Sequence, residues 1–296
     1  MIEIPNPKTH PSAEAQGAPS RVEGQNPSPN WGGVVRVFDL SIGQMLWSRR
    51  TIFMALLVGA PIVLAVVARI VQEAGIVPIR VTGTPVGGAG LFGMMIWIFY
   101  VRIIVPMLGL FYGTSMIADE VEEKTLTYLF TRPVRRGVVL IGKYLAYLAC
   151  TALVVLPSVM IVYFLLVPLA EVPRTFLPLV VDLGILALGL ACYGALFGLV
   201  GVWLRRPVLA GFAFAFGWEP VALLIPGYLK RFTIAHYLQS LVPHSAPVNE
   251  TAALFQAVLR ENPPVWVSLF WLLFALTSAL LLASRVVERR EYVLEQ

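Results

Sequence analysis

The sequence predicts an all-α membrane protein with six transmembrane helices, and three observations carry that prediction. Hydrophobic residues fill 58% of the 296 positions and charged residues only 13%, against roughly 45–50% and about 25% in soluble domains. Six windows of roughly 20 apolar residues are present, the length that crosses a ~30 Å hydrocarbon core at ~1.5 Å per residue. None shows the period-two alternation of a spanning β-barrel, as "LLVGAPIVLAVV" illustrates.

The elements follow in chain order. Residues 1–30 carry six prolines with Ser, Asn and Gly and no apolar h-region, so they are expected as a disordered cytoplasmic tail rather than a cleavable signal peptide. In "VVRVFDLSIGQMLWSRR" the side chains Val34, Phe38, Ile42, Met45 and Leu46 share one helical face, which predicts an N-terminal interfacial helix on the inner leaflet. The six spans are placed at about 52–71, 91–117, 143–168, 176–203, 208–226 and 265–284. A flexible external loop, "VTGTPVGGAG", separates the first two. The connection "LAEVPRTF" is so short that spans three and four are expected as antiparallel neighbours. Between spans five and six, "YLKRFTIAHYLQSLV" and "ETAALFQAVLRE" have helical apolar spacing. Both are expected as short external helices on the outer membrane surface.

Orientation follows from the basic residues. With the N-terminus in the cytoplasm, fifteen of the 22 Lys and Arg lie on that side, including Lys124, Arg132, Arg135, Arg136, Arg205 and Arg206, and six lie outside. That bias places both termini inside and the chain as a multi-pass protein of the cytoplasmic membrane. The net charge of +5 then suits anionic lipid headgroups rather than nucleic acid.

Catalytic machinery is not legible. Gly137, Gly142 and Lys143 have the spacing of a phosphate-binding loop, but Tyr144 stands where a magnesium-holding hydroxyl is required. Cys150 and Cys192 fall inside spans as small core residues, and His236 and His244 have no companions at ligand spacing. No metal or cofactor site is assigned to this chain. Gly109 and Gly113, and Gly194 and Gly198, form G-x-x-x-G pairs that permit close helix approach, within the chain or at a dimer face. Arg102 lies within span two, where a charge costs about 2.5–3.5 kcal/mol near the centre. Asp182 or Glu219 is the expected partner, and snorkelling to the headgroups is the alternative.

One stretch departs from the rest. "IADEVEEKTLTYLFTRPVRRGVVLIGKYLA", residues 117–146, crowds nine charges between two apolar spans. Helical spacing gathers Val121, Thr125, Tyr128 and Leu129 on one flank. Acids occupy the opening turns, and Pro133 ends the pattern. From these residues alone, a docking helix and a solvated loop that enforces topology both remain open.

The stretch resembles the signature of the ABC-2 type transporter permease family. Glu120, Glu122, Glu123, Lys124, Thr125, Leu126, Thr131, Pro133, Arg135, Arg136, Gly142 and Lys143 carry the likeness over about 30 residues. The resemblance implies that residues 31–296 form a permease transmembrane domain without its own ATPase. ATP and magnesium would belong to a separate ABC ATPase subunit, and a second permease would complete a homodimer or heterodimer. It further implies a cytoplasmic coupling helix within 119–136, in which Leu129 and Arg132 also face the ATPase. The function expected is export of an unidentified substrate. Mechanotransmission or assembly, in which the ATPase stroke reaches an external partner without transport, is the alternative. A self-sufficient secondary transporter would call for inverted repeats, and none is visible.

Overall fold

The computed structural model describes residues 38, 42–43, 49–74, 80–81, 84–85, 87–116, 136–225, 228–242 and 263–289. These all fall within one compact unit, Trp31–Gln296. Most of the predicted interfacial helix, the 1–30 tail and the "ETAALFQAVLRE" helix lie outside the described residues.

Long helices form where the apolar runs are long. We label them α1 (Arg49–Glu73), α2 (Gly88–Met116), α3 (Arg136–Leu166), α4 (Val172–Trp203), α5, built from Pro207–Phe212, Ala213–Trp218 and Glu219–Leu224, α6 (Ile234–Leu241) and α7 (Val265–Arg289). Five of them are long and apolar enough to cross a membrane, and the apolar part of α5, Pro207–Leu223, is shorter. Before α2, the expected loop contains a minimal antiparallel pairing of Arg80–Val81 with Thr84–Pro85.

α4 is the hub. Of its apolar window 72% is buried, against 22% for α1 and 17% for α7, so α4 is surrounded while α1 and α7 present outer faces such as Ile52, Leu56, Phe270 and Phe274. α3 and α4 run antiparallel: the hydroxyls of Tyr144 and Tyr147 donate to the carbonyls of Ala191 (3.0 Å) and Leu190 (2.9 Å), and Tyr163 bonds Thr175 at 2.7 Å. These bonds satisfy buried hydroxyls where no water can, which fixes helix rotation as well as proximity.

The two G-x-x-x-G pairs meet each other. A Cβ on Gly109 would stand 2.6 Å from that of Tyr193, and one on Gly113 would stand 3.0 Å from Phe197 Cβ and 3.1 Å from the Gly194 carbonyl oxygen. α2 and α4 therefore touch backbone to backbone, with both motifs consumed inside this chain. Gly194 also faces α3, because its missing Cβ leaves room for the Tyr147 ring, 2.1 Å from where that atom would be. Gly198 is looser, with its nearest neighbour at 3.9 Å. Alanine at Gly194 is thus expected to lower thermal stability by about 1–3 kcal/mol through overpacking, and alanine at Gly198 to be nearly neutral. Parallel unfolding curves in detergent check the pair, and equal stability of the two variants would contradict the packing.

The expected surface position of "YLKRFTIAHYLQSLV" is corrected. Tyr228–Phe232 forms one 3₁₀ turn and then α6 enters the bundle, packed against α2, α4 and α7. Ile234, Ala235, Tyr237 and Leu238 are buried, and Leu238 reaches Gly189, about midway along α4. Its strongly one-sided apolar face finds helices rather than headgroups to pack on.

Candidate functional site

Glu120, Glu122, Glu123, Lys124, Thr125, Leu126, Leu129, Thr131, Arg132, Pro133 and Arg135 lie outside the described residues. Both ends of their segment are within them: α2 finishes at Met116 and α3 begins at Arg136. Lys143 Nζ donates to the Met116 carbonyl at 3.1 Å, so a cation sits on the last carbonyls of α2, where the helix dipole favours it. Residues 137–143 are one stretch of α3. Their G-x-x-x-x-G-K spacing thus forms no loop to cradle a phosphate.

The intramembrane charges divide. Arg102 and Glu219 share a cavity of about 300 Å³ whose walls include Pro106, Tyr193, Phe216 and Gln239. Asp182, fully buried in α4, does not line it.

Two prolines shape this cavity. A proline at position i supplies no N–H for the carbonyl at i−4, which is Arg102 for Pro106 and Phe216 for Pro220. The ladder opens into π-helical turns around both gaps, over Ile96–Ile104 and Ala213–Trp218. There the amide of Val105 reaches the Tyr100 carbonyl and that of Glu219 reaches Phe214. Widened turns of this kind bulge a helix locally, and here they flank the cavity from α2 and from α5.

Glu219 is 3% exposed, and its carboxylate ties three helices together. Oε2 accepts from the Tyr193 hydroxyl of α4 at 2.5 Å. Oε1 accepts from the amides of Ile234 (3.1 Å) and Ala235 (3.4 Å), the first two of α6. The third amide, His236, donates to Thr233 Oγ1 at 3.3 Å. The opening donors of α6, which no helical carbonyl can satisfy, are thus met by Glu219 and Thr233, and a carboxylate at that end also complements the dipole.

Arg102 stands at the midpoint of Gly88–Met116. Its side chain is exposed on the surface of the chain, with the guanidinium carbon 5.8 Å from the centre of the Trp97 ring. Of the two acids expected to pair with Arg102, Asp182 does not line this cavity and Glu219 lines it with its oxygens committed to Tyr193 and α6, while the guanidinium lies near an aromatic ring.

Sequence reasoning missed Tyr193, Gln239 and Thr233. Thr233 had a local signal, a capping residue just before an apolar run. Tyr193 and Gln239 had none, because their partners are distant in the chain. Among the described residues no group of three metal-ligating side chains occurs, and Cys150 and Cys192 are free and buried.

Comparison with known families places these observations. The model of the ABC-2 family transporter proteins matches residues 49–292, a stretch that includes every described span, the cavity and the charged segment. Comparison with curated proteins finds no match. Members of the matched family are membrane subunits without an ATPase site of their own that work with an ABC ATPase. A bundle of long apolar helices around a buried hub, with that match over most of its length, identifies the chain as a multi-pass membrane protein belonging to the ABC-2 transporter family.

Proposed function

We propose that this chain is the permease subunit of an exporter in the cytoplasmic membrane. It pairs with a second permease and is driven by two separate ABC ATPase subunits that hold the ATP and magnesium. α5 serves as the sixth span despite its length, and both termini face the cytoplasm. The coupling helix lies within 119–136, between the ends of α2 and α3 that Lys143 draws together. The observation that carries the reading is Arg102: a charge at the midpoint of a span, exposed on the chain's surface, belongs against a partner subunit or a watered path rather than against lipid.

Purification of the tagged chain from its native membranes is expected to recover an ABC ATPase whose hydrolysis is altered by the permease. Recovery of the intact chain without any ATPase would overturn the proposal. Topology is tested separately. Reporter fusions at residues 20, 134, 206 and 292 are expected inside, and those at 80, 172 and 245 outside. Finding 134 and 245 on one side would remove the six-span arrangement.

A further inference from the structure

We infer that the cavity between α2, α4, α5 and α6 binds the anionic headgroup of an amphiphile, a phosphate or carboxylate carried on an apolar chain. The inventory of its polar groups supports this. Arg102 contributes a guanidinium that lies near the Trp97 ring, its central carbon 5.8 Å from the ring centre, and that carries N–H donors with no acceptor of its own. Gln239 contributes a side-chain amide nitrogen that is buried and has no hydrogen-bond partner among the described residues. Glu219, the carboxylate on the same wall, has its two oxygens engaged by Tyr193 and by the amides of Ile234 and Ala235.

The cavity thus presents a guanidinium and a buried, unpartnered amide nitrogen beside a carboxylate whose two oxygens are both engaged, and the complement of two such donors is an acceptor that carries negative charge. A cationic ligand would meet Arg102 directly and find the one carboxylate already spoken for. The remaining walls, Ile98, Pro106, Phe216 and Leu223 among them, are apolar. A volume of about 300 Å³ is at the small end for ligand sites, which suits a headgroup and its first carbons with the chain trailing out past exposed Arg102.

This inference deepens the exporter reading by naming a ligand class, but binding is measured on the permease alone, so it fails or stands independently of any ATPase. The full chain in phosphatidylcholine nanodiscs is titrated with dodecyl phosphate while tryptophan fluorescence is followed, with Trp97 as the reporter beneath the guanidinium. A saturable change is expected with dodecyl phosphate and not with dodecyltrimethylammonium. Arg102→Gln is expected to weaken binding about 10- to 100-fold, the equivalent of one charge-assisted hydrogen bond. Arg102→Lys should stay within several-fold of the wild type, and Gln239→Leu should be several-fold weaker.

Glu219→Gln is the decisive companion. It keeps a carbonyl for the α6 amides while removing the only negative charge on the wall among the described residues, so it is expected to strengthen binding, opposite in sign to Arg102→Gln. Nanodiscs containing phosphatidylglycerol separate the two sources of the chemistry. Competition there identifies a bilayer lipid as the occupant, and its absence identifies a free amphiphile. Equal response to dodecyltrimethylammonium, unchanged affinity in folded Arg102→Gln, or weakened affinity in folded Glu219→Gln would each overturn the inference.

Discussion

Glu219→Ala is expected to be among the most damaging single substitutions in the described bundle. It strands the hydroxyl of Tyr193, which is fully buried, and the amides of Ile234 and Ala235. Each buried donor left without an acceptor costs about 1–3 kcal/mol, so the loss should total roughly 3 kcal/mol or more, a large share of the 5–15 kcal/mol that holds a typical protein folded. α6 would lose the acceptor of its first two amides and keep only the Thr233 cap, and the hydrogen-bonded links from α5 to α4 and α6 would go. Thermal unfolding in detergent should show a pronounced drop and a poorly monodisperse product. Glu219→Gln should retain most of the stability, since its carbonyl can accept from the amides and its NH₂ can donate to Tyr193 Oη. Tyr193→Phe, which removes one of the three bonds, should lie between. Wild-type stability in Glu219→Ala would mean that α6 is held by its apolar face alone.

The second large effect is expected at the cytoplasmic segment and concerns coupling rather than stability. Replacing Glu122 and Glu123 by Gln and Leu126 and Leu129 by Ala, with every arginine kept, leaves the topological signal intact because acids contribute little to orientation. A docking helix, by contrast, would lose its apolar anchors and its charge complementarity together, the features that set affinity and register at an interface. The variant should insert normally, yet lose the ATPase in pull-downs and lose permease-dependent ATP hydrolysis by an order of magnitude or more. The change is fourfold because two such helices on two cassettes would mask a weaker lesion through avidity. Undiminished ATPase recovery would show the segment to be a solvated loop that serves topology only.

Helix positions were largely legible in the sequence. The windows at 52–71 and 176–203 became Arg49–Glu73 and Val172–Trp203, and the ends differ by only a few residues. The reason is local: an apolar run either reaches the length of a bilayer or does not, and the residues that end it stand beside it. The fifth window was the weakest case. Pro220 and the proline-glycine pair that follows α5 leave an apolar helix, Pro207–Leu223, shorter than the other spans. Even the widened turns at Arg102 and before Glu219 had a local cause, a proline four residues beyond the carbonyl it releases.

What belongs to the sequence alone, then, is the membrane solvent, the spans, the charge bias and the acidic-then-basic segment whose likeness pointed to the family that residues 49–292 match. Each depends on composition or on neighbours within a few turns. The tertiary structure decided which groups meet. Gly109 and Gly113 could have served a dimer face as readily as α4, and only helix stacking set them against Tyr193, Gly194 and Phe197. Glu219 could have paired with Arg102, but α6 folded into the bundle and offered two amides and the way to Tyr193 instead. Away from water a buried polar group without a partner is costly, and several pairings avoid that cost equally on paper. The packing of α5 and α6 against α4 selects one of them, because it is what brings the Glu219 oxygens within 3.5 Å of the Tyr193 hydroxyl and the Ile234 and Ala235 amides.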